Sequence, residues 1–198
     1  MFVQAFEGRA ADREGLRRQL ERWMIDLRPG ARGFLGSTAG VTDGGDAFVF
    51  ARFETKVDGM ANSERAEQGQ WWADTEKCFD GDVRFSDSAD VDSFLAGGSN
   101  DAGFVQIMRG HGIDRGRVHA LDDQFEAHAA SFRPDLLGGF RMWTGSDSYL
   151  EVAYFTNEAE AREGESKEPP AELAEQMGDF EQLMANVEFI DLREPWLF

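Results

Sequence analysis

Apolar residues recur along this chain in two rhythms, and the rhythms alternate in a fixed order. Phe2 to Glu7 is apolar and β-favouring and is bounded by Gly8, which reads as a strand. Asp12 then suits a helix cap, and Leu16, Leu20, Trp23 and Leu27 recur at spacings of four, three and four. Arg28-Pro29-Gly30 stops that helix. Phe34 to Thr38 reads as a short strand, Asp43-Gly44-Gly45-Asp46 as a hairpin turn and Ala47 to Glu54 as a third strand. A second helix is predicted roughly over Met60 to Phe79, with a last strand starting near Val83.

The same order returns in the second half. A strand is predicted at Phe104 and a helix on Val118, Leu121, Phe125 and Phe132, followed by a turn at Ser146-Asp147-Ser148 and a strand at Leu150. A second helix, Ala171 to Ala185, follows Pro169-Pro170, and a final strand begins near Val187. Local matches support the repetition. Phe2-Val3-Gln4 recurs as Phe104-Val105-Gln106, and Asp12-Arg13-Glu14-Gly15 has a partner in Asp114-Arg115-Gly116. Arg28-Pro29 parallels Arg133-Pro134, and Thr38-Ala39-Gly40 parallels Thr144-Gly145. Phe48 to Phe53 parallels Leu150 to Phe155, and Val83-Arg84-Phe85 parallels Val187-Glu188-Phe189. Six matches in one order, at a period near 100 residues, indicate a duplicated domain rather than a solenoid. The small, polar, Gly-rich stretch Ala96 to Asp101 reads as the joint. The expected division is 1–95, a linker at 96–102, and 103–198.

Strand-helix-strand-strand-helix-strand is the ferredoxin-like split βαβ order, so the class is α+β. Ala47-Phe48-Val49-Phe50-Ala51 shows no polar alternation, so both faces of the sheet should be covered. Two helices cover one face. The other calls for a second sheet, which the duplication supplies within the same chain.

Composition narrows the function. Across 198 residues, 20 Lys and Arg face 38 Asp and Glu, a formal charge of −18. Such a surface repels phosphate backbones and anionic lipid heads, which argues against nucleic-acid and membrane partners. The charge divides unevenly, −6 over residues 1–98 and −12 over 99–198. Aromatic residues make up 12%, too much core-forming material for a disordered acidic chain. No apolar run approaches a membrane span and no secretory signal is visible. Cys78 is the single cysteine, which fits a reducing cytoplasm and excludes thiolate-rich metal sites.

With these residues in place the chain resembles the dimeric α/β-barrel superfamily, and within it the antibiotic-biosynthesis-monooxygenase-like domains. The resemblance covers residues 1–95 and 103–198 and rests on element order, length and the opening strand. It implies two ferredoxin-like βαββαβ repeats packed sheet to sheet as an intrachain pseudo-dimer, with association into a further homodimer left open. It also implies a ligand between a sheet and its helices. Members include cofactor-free oxygenases of polycyclic aromatic substrates, quinol oxygenases and haem-degrading enzymes.

Candidate pocket residues follow. Gln4 and Gln106 stand at the same point of the first strand in each copy, where an amide could orient a carbonyl or bond its neighbours. Trp71 and Trp72 lie about 100° apart on the second helix of copy one, so one can face the sheet while the other edges a cavity. The family's haem-ligating His after that Trp is missing, and Asn62 stands nine residues from Trp71, not the single turn that the cofactor-free oxygenases use. His128 falls beside the stripe of Leu121, Phe125 and Phe132, either as a base or haem ligand or as a core histidine. His111 sits in a Gly-flanked loop and His119 should face solvent. Trp143 and Tyr154 lie on strands of copy two, where copy one has Ser37 or Thr38 and Arg52, so the two pockets are not equivalent. Arg52 and Arg141 on strands suit ion pairing to the surplus carboxylates better than an anionic ligand. The acidic stretch Glu158 to Glu168 reads as a solvated loop. No histidine pair has metal-ligand spacing, and no glycine-rich phosphate loop is present.

The expectation is therefore a protein that binds a small apolar or aromatic molecule without cofactor or metal. Its reaction would be a cofactor-independent monooxygenation of aromatic or quinol-type substrates. The rival expectations are a non-catalytic barrel with one filled pocket and, third, haem binding through His128 or His111.

Overall fold

A computed structural model describes residues 1–168 and 183–198, and within residues 115–132 the side chains of 123, 124, 126, 127, 129 and 130 lie outside that description. The predicted helix Ala171 to Ala185 falls almost entirely on residues outside it. In chain order the first half carries β1 (Phe2–Ala10), α1 (Arg13–Asp26), β2 (Phe34–Val41), β3 (Asp46–Phe53), α2 (Lys56–Ser63), α3 (Ala66–Thr75), β4 (Phe79–Ser88) and β5 (Val91–Leu95). The second half carries β6 (Phe104–Gly110), α4 (Arg115–Phe132), β7 (Leu136–Trp143), β8 (Tyr149–Phe155), α5 (Glu158–Glu165), β9 (Val187–Leu192) and β10 (Trp196–Leu197).

The strands form two antiparallel five-stranded sheets, β10-β2-β3-β1-β4 and β5-β7-β8-β6-β9. Unit 1 comprises residues 1–91 and 194–198, and unit 2 residues 92–193. The sequence boundary at 95 is displaced because β5 completes the sheet of unit 2 while β10 pairs with β2, Trp196 opposite Ala39 and Leu197 opposite Thr38. Each sequence copy thus ends in a strand that belongs to the other unit's sheet.

The registers of the two sheets match residue by residue. In unit 1, Phe2 pairs with Phe53 and Gln4 with Ala51; in unit 2, Phe104 pairs with Phe155 and Gln106 with Ala153, a constant offset of 102. The β2–β3 and β7–β8 ladders carry the same bulge, at Gly36 and Gly138. Their φ angles are +143° and +151°, which only glycine adopts without strain. Even an ion pair is conserved in place with its polarity reversed. Arg84 Nη1 donates to Glu7 Oε1 over 2.9 Å in unit 1, and Arg109 Nη1 donates to Glu188 Oε2 over 3.0 Å in unit 2.

Local chemistry accounts for the helices. Asp12 caps α1 by accepting from Gly15 N over 2.8 Å. The single helix expected over Met60 to Phe79 is instead two. Thr55 caps α2, and the chain turns at Arg65, whose backbone is extended and whose guanidinium donates to Leu27 O (2.9 Å) and Asn62 Oδ1 (3.1 Å). The stretch from Glu158, read as a loop, is helix α5 as far as Glu165. Asn157 caps it by accepting from Glu160 N over 2.9 Å, and acidic residues in its first turn suit the positive end of the helix dipole.

In unit 1 the apolar stripe of α1 packs with α3 on the sheet. Leu16, Leu20, Trp23 and Trp71 meet Phe2, Ala39, Val49 and Trp196, all buried. Each such aliphatic or Phe side chain contributes about 1.5–3 kcal/mol of burial. The alternating positions, among them Phe48 and Phe50 in unit 1 and Phe140, Val152 and Tyr154 in unit 2, are buried too. Both faces of the central strands β3 and β8 are withdrawn from solvent, as the unbroken apolar strands predicted, while β4 is largely exposed and β9 partly so.

Candidate functional site

Unit 2 has a half-open cavity of about 830 Å³ between its sheet and its helices. Phe94, Leu121, Phe125, Phe132, Leu136 and Phe155 supply apolar wall. The strands supply a polar floor. From β8 come Tyr149, Glu151 and Ala153, from β7 Arg141, and from β6 Gln106. This alternation follows from the pleat, since positions two apart on a strand share a face.

The centre of the floor is a buried ion cluster. Arg141 and Glu151 are cross-strand partners, and Arg141 Nε donates to Glu151 Oε2 over 2.7 Å. The other side of the guanidinium meets Asp122 of α4, with Nη2 donating to Oδ1 over 3.1 Å. Burial works against the Arg141 charge, yet Glu151 and Asp122 beside it hold its pKa above the ordinary value. Burial pushes the Glu151 carboxyl up, with Arg141 opposing and the Asp122 and Asp92 charges adding to the rise. Burial and the Glu151 charge likewise push the Tyr149 hydroxyl up, so it is a neutral phenol at physiological pH.

A second network joins the floor to the helix. Asp92 Oδ2 on β5 accepts from Trp143 Nε1 over 2.7 Å and lies 3.0 Å from His119 Nε2 on α4. The His119 ring stands edge-on to Trp143 at 6.0 Å, and the Arg115 guanidinium covers that indole at 4.5 Å. Gln106 donates to Asp191 Oδ1 over 3.1 Å, with Glu165 Oε1 at 3.5 Å. Arg162 bonds Glu165 over 3.0 Å and also Asp191. The lining holds five carboxylates against four basic side chains and His119. Because Arg141, Arg162, Arg133 and Lys167 all have carboxylate partners, the site is suited to a neutral ligand rather than an anion.

No family model and no curated protein sequence matches the chain. Solved structures do. A candidate monooxygenase from Lactobacillus acidophilus superposes with a TM-score of 0.72 at 13% identity, covering 100% of this chain and 98% of that one. A candidate monooxygenase from Fusobacterium nucleatum gives 0.74 at 7% identity, covering 99% and 93%. An anthrone oxidase-like protein gives 0.62 at 11% identity, covering 99% and 92%. The chain shares the fold of these proteins over its whole length.

Within this monooxygenase-like fold the residues named from sequence separate clearly. Gln106 lines the unit 2 cavity. Trp143 is buried next to it and reaches it through Asp92. Tyr154 is fully buried on the opposite face of β8, ring to ring with Phe140, so the pleat takes it away from the cavity. His128 is half-buried on α4 and is not among the lining residues. His119, expected to face solvent, lines the cavity and meets Asp92, because α4 turns that side toward β5.

Gln4, Trp71 and Trp72 belong to unit 1. Gln4 Nε2 donates to Ser63 Oγ over 3.0 Å, the satisfied-amide alternative. Trp71 is core, its indole donating to Gln19 O over 2.8 Å, and Trp72 stacks among Phe6, Phe79 and Phe85. Arg52 is buried on β3 of unit 1, and Arg141 is ion-paired as expected. Asp92, His119, Asp122, Tyr149 and Glu151 were not singled out from sequence as pocket residues. Glu151 had a signal: it is the one charge in an otherwise apolar strand. Asp92 had none, because its strand belongs to the other copy's sequence.

Register shows where the two units differ. Where unit 2 has Arg141, Glu151 and Tyr149, unit 1 has Ala39, Val49 and Ala47 in the same ladder positions. Those three sit in unit 1's apolar core beside Leu20, Trp23 and Trp196.

Proposed function

We propose that unit 2 binds a neutral, flat, apolar or aromatic small molecule and acts on it as a cofactor-independent monooxygenase of anthrone- or quinol-type substrates. The observation that carries this reading is the unit 2 cavity, walled by aromatic rings and floored by charges that already neutralise one another. A site of this kind takes up a ring system by burial and orients its oxygen substituent by hydrogen bonds from groups such as Gln106 and Tyr149. The monooxygenase-like fold and the anthrone oxidase-like neighbour favour oxygen chemistry within that class.

In such a reaction the substrate loses a proton to become an electron-rich enolate or phenolate, which passes one electron to dioxygen. The substrate radical and superoxide combine into a peroxide anion, which takes back the proton removed at the start to become a hydroperoxide. Elimination of water then converts a ring CH2 and O2 into a ring carbonyl and H2O, so the substrate is its own reductant. Unit 1 is read as a non-catalytic half, supported by Trp23, Trp71 and Trp196 occupying the region between its sheet and helices.

Haem chemistry finds no matching donor set among the described residues. His128 does not line the cavity and His111 is exposed, so neither of the two histidines considered for haem is placed to hold it there. The single buried Cys78 and the lack, among the described residues, of a helix long and apolar enough to cross a membrane support a cytoplasmic setting. The test is oxygen uptake in the presence of anthrone and a panel of hydroquinones. Turnover above buffer is expected; a panel without turnover overturns the oxygenase reading.

A further inference from the structure

We propose that His119, held by Asp92, is the general base that ionises the substrate in the unit 2 cavity. The inference rests on the oxygenase reading above and names the group which that reading leaves open.

Three observations lead to it. First, His119 and Asp92 both line the cavity and meet at 3.0 Å through Nε2 and Oδ2. A carboxylate at Nε2 keeps the proton on that nitrogen and leaves Nδ1 as the basic lone pair. Trp143 Nε1 donates to the same carboxylate oxygen at 2.7 Å, which fixes the orientation of Asp92 and so of the imidazole. Asp92 and Trp143 are positioning residues.

Second, the other acidic lining groups are committed. Glu151 and Asp122 hold Arg141, and Glu165 and Asp191 hold Arg162. His119 is half-exposed, and its contact with Asp92 lies outside the Arg141 and Arg162 clusters.

Third, a neutral base gives the enolate a partner. Proton transfer leaves the net charge of the cavity unchanged with any base. When His119 takes the proton, the imidazolium stands beside the new enolate as its counter-charge. A protonated carboxyl would leave the enolate among Glu151, Asp122 and Asp92 with no new cation beside it. The dyad is also confined to unit 2. By the 102 offset, His119 corresponds to Arg17. The β4 and β9 registers, in which Phe85 and Phe189 match, place Trp196 where Asp92 stands.

The experiment separates proton removal from oxygen chemistry. The full chain is incubated with anthrone under nitrogen in D2O, and deuterium entry at the acidic ring CH2 is followed beside anthrone binding measured by tryptophan fluorescence. General-base catalysis contributes about 10²–10⁴-fold. Acceleration over buffer of that order is expected from the wild-type chain. His119→Gln retains an amide donor for Asp92 but has no basic nitrogen. It should bind anthrone normally and lose about 100-fold or more in exchange rate, and His119→Ala should recover exchange when imidazole is added. Asp92→Asn should lower the exchange rate while leaving affinity near wild type. Wild-type exchange in His119→Gln, or oxygen turnover without accelerated exchange, overturns the assignment of His119 while the oxygenase reading stands. Accelerated exchange without oxygen uptake in air upholds His119 as a base and overturns the oxygenase reading. Failure of wild type to bind anthrone overturns both.

Discussion

Arg141 and Glu151 face one another directly across the β7–β8 ladder, and both side chains are buried, with Arg141 Nε donating to Glu151 Oε2 over 2.7 Å. At the same ladder position unit 1 has Ala39 opposite Val49. The two units therefore differ at matched positions: one sheet floor carries a charge cluster and the other does not. A charge in this place costs desolvation, and the cluster is tolerable because Asp122 and Glu151 share one guanidinium.

Removing that guanidinium leaves two carboxylates with no counter-charge. Arg141→Met is expected to destabilise unit 2 by about 3–5 kcal/mol, the usual cost of breaking a buried pair. Glu151→Gln should cost far less, because the amide oxygen can still accept and Arg141 keeps Asp122. Urea midpoints of the two variants check this. Equal midpoints would show that the cluster is not organised around Arg141.

The same cluster gives a pH dependence of definite sign. Burial holds the Glu151 carboxyl above its ordinary value, so between the two values the folded chain binds more protons than the unfolded one. Stability from this group is therefore full below the ordinary carboxylate range and is lost as pH rises through the folded value. Exposed carboxylates such as Glu67, Asp74 and Glu160 are shifted the other way, mainly by hydrogen bonds, and act identically in wild type and variant. The difference in urea midpoint between wild type and Glu151→Gln should accordingly move in favour of the variant as pH rises. A difference that stays flat with pH would contradict the burial of this carboxyl.

Ala153 lines the cavity at the register point between Gln106 and Gly139. Ala153→Phe would place a ring in the space meant for the ligand. Ala153 is buried among Phe94, Phe104 and Phe155, so the added ring should cost about 1–3 kcal/mol of overpacking and lower the urea midpoint without unfolding the chain. Anthrone binding and oxygen uptake should both disappear. If Ala153→Phe binds anthrone as wild type does, the ligand lies elsewhere.

How much of this was legible in the sequence depends on the range of the interaction. The offset of 102, the element order and the unbroken apolar strands were all readable, because each copy repeats local patterns such as Phe2-Val3-Gln4. Gln106 was legible as a pocket residue for the same reason. His119 was not: helical spacing put it outside the apolar stripe, and its partner Asp92 sits 27 residues earlier on a strand whose sheet no local pattern identifies. Tyr154 failed through parity, since a strand buried on both faces gives no sign of which one borders the cavity. The break between α2 and α3 depends on Arg65 reaching Leu27, a contact 38 residues apart.

The exchanged strands give a prediction that ordinary domain boundaries would not. Trp196 follows the whole second copy in sequence, yet it is buried in the core of unit 1 beside Ala39, with the Arg13 guanidinium over its ring at 5.9 Å. Trp196→Ala removes a large buried ring, a change that typically costs about 3–5 kcal/mol. That loss should fall on unit 1. Amide hydrogen exchange is the appropriate measurement, because it reports each strand separately. Protection of β2 and β3 should drop in Trp196→Ala while β7 and β8 keep theirs and anthrone affinity is unchanged. Loss of protection in β6 and β9 instead would mean that the strand stays with the copy from which it comes. Phe94 on β5 provides the reciprocal case, packing against the apolar cluster of Phe104, Ala153 and Phe155. Phe94→Ala should loosen β7 and weaken anthrone binding while leaving β2 protected, because β5 forms both the edge of the unit 2 sheet and part of the cavity wall.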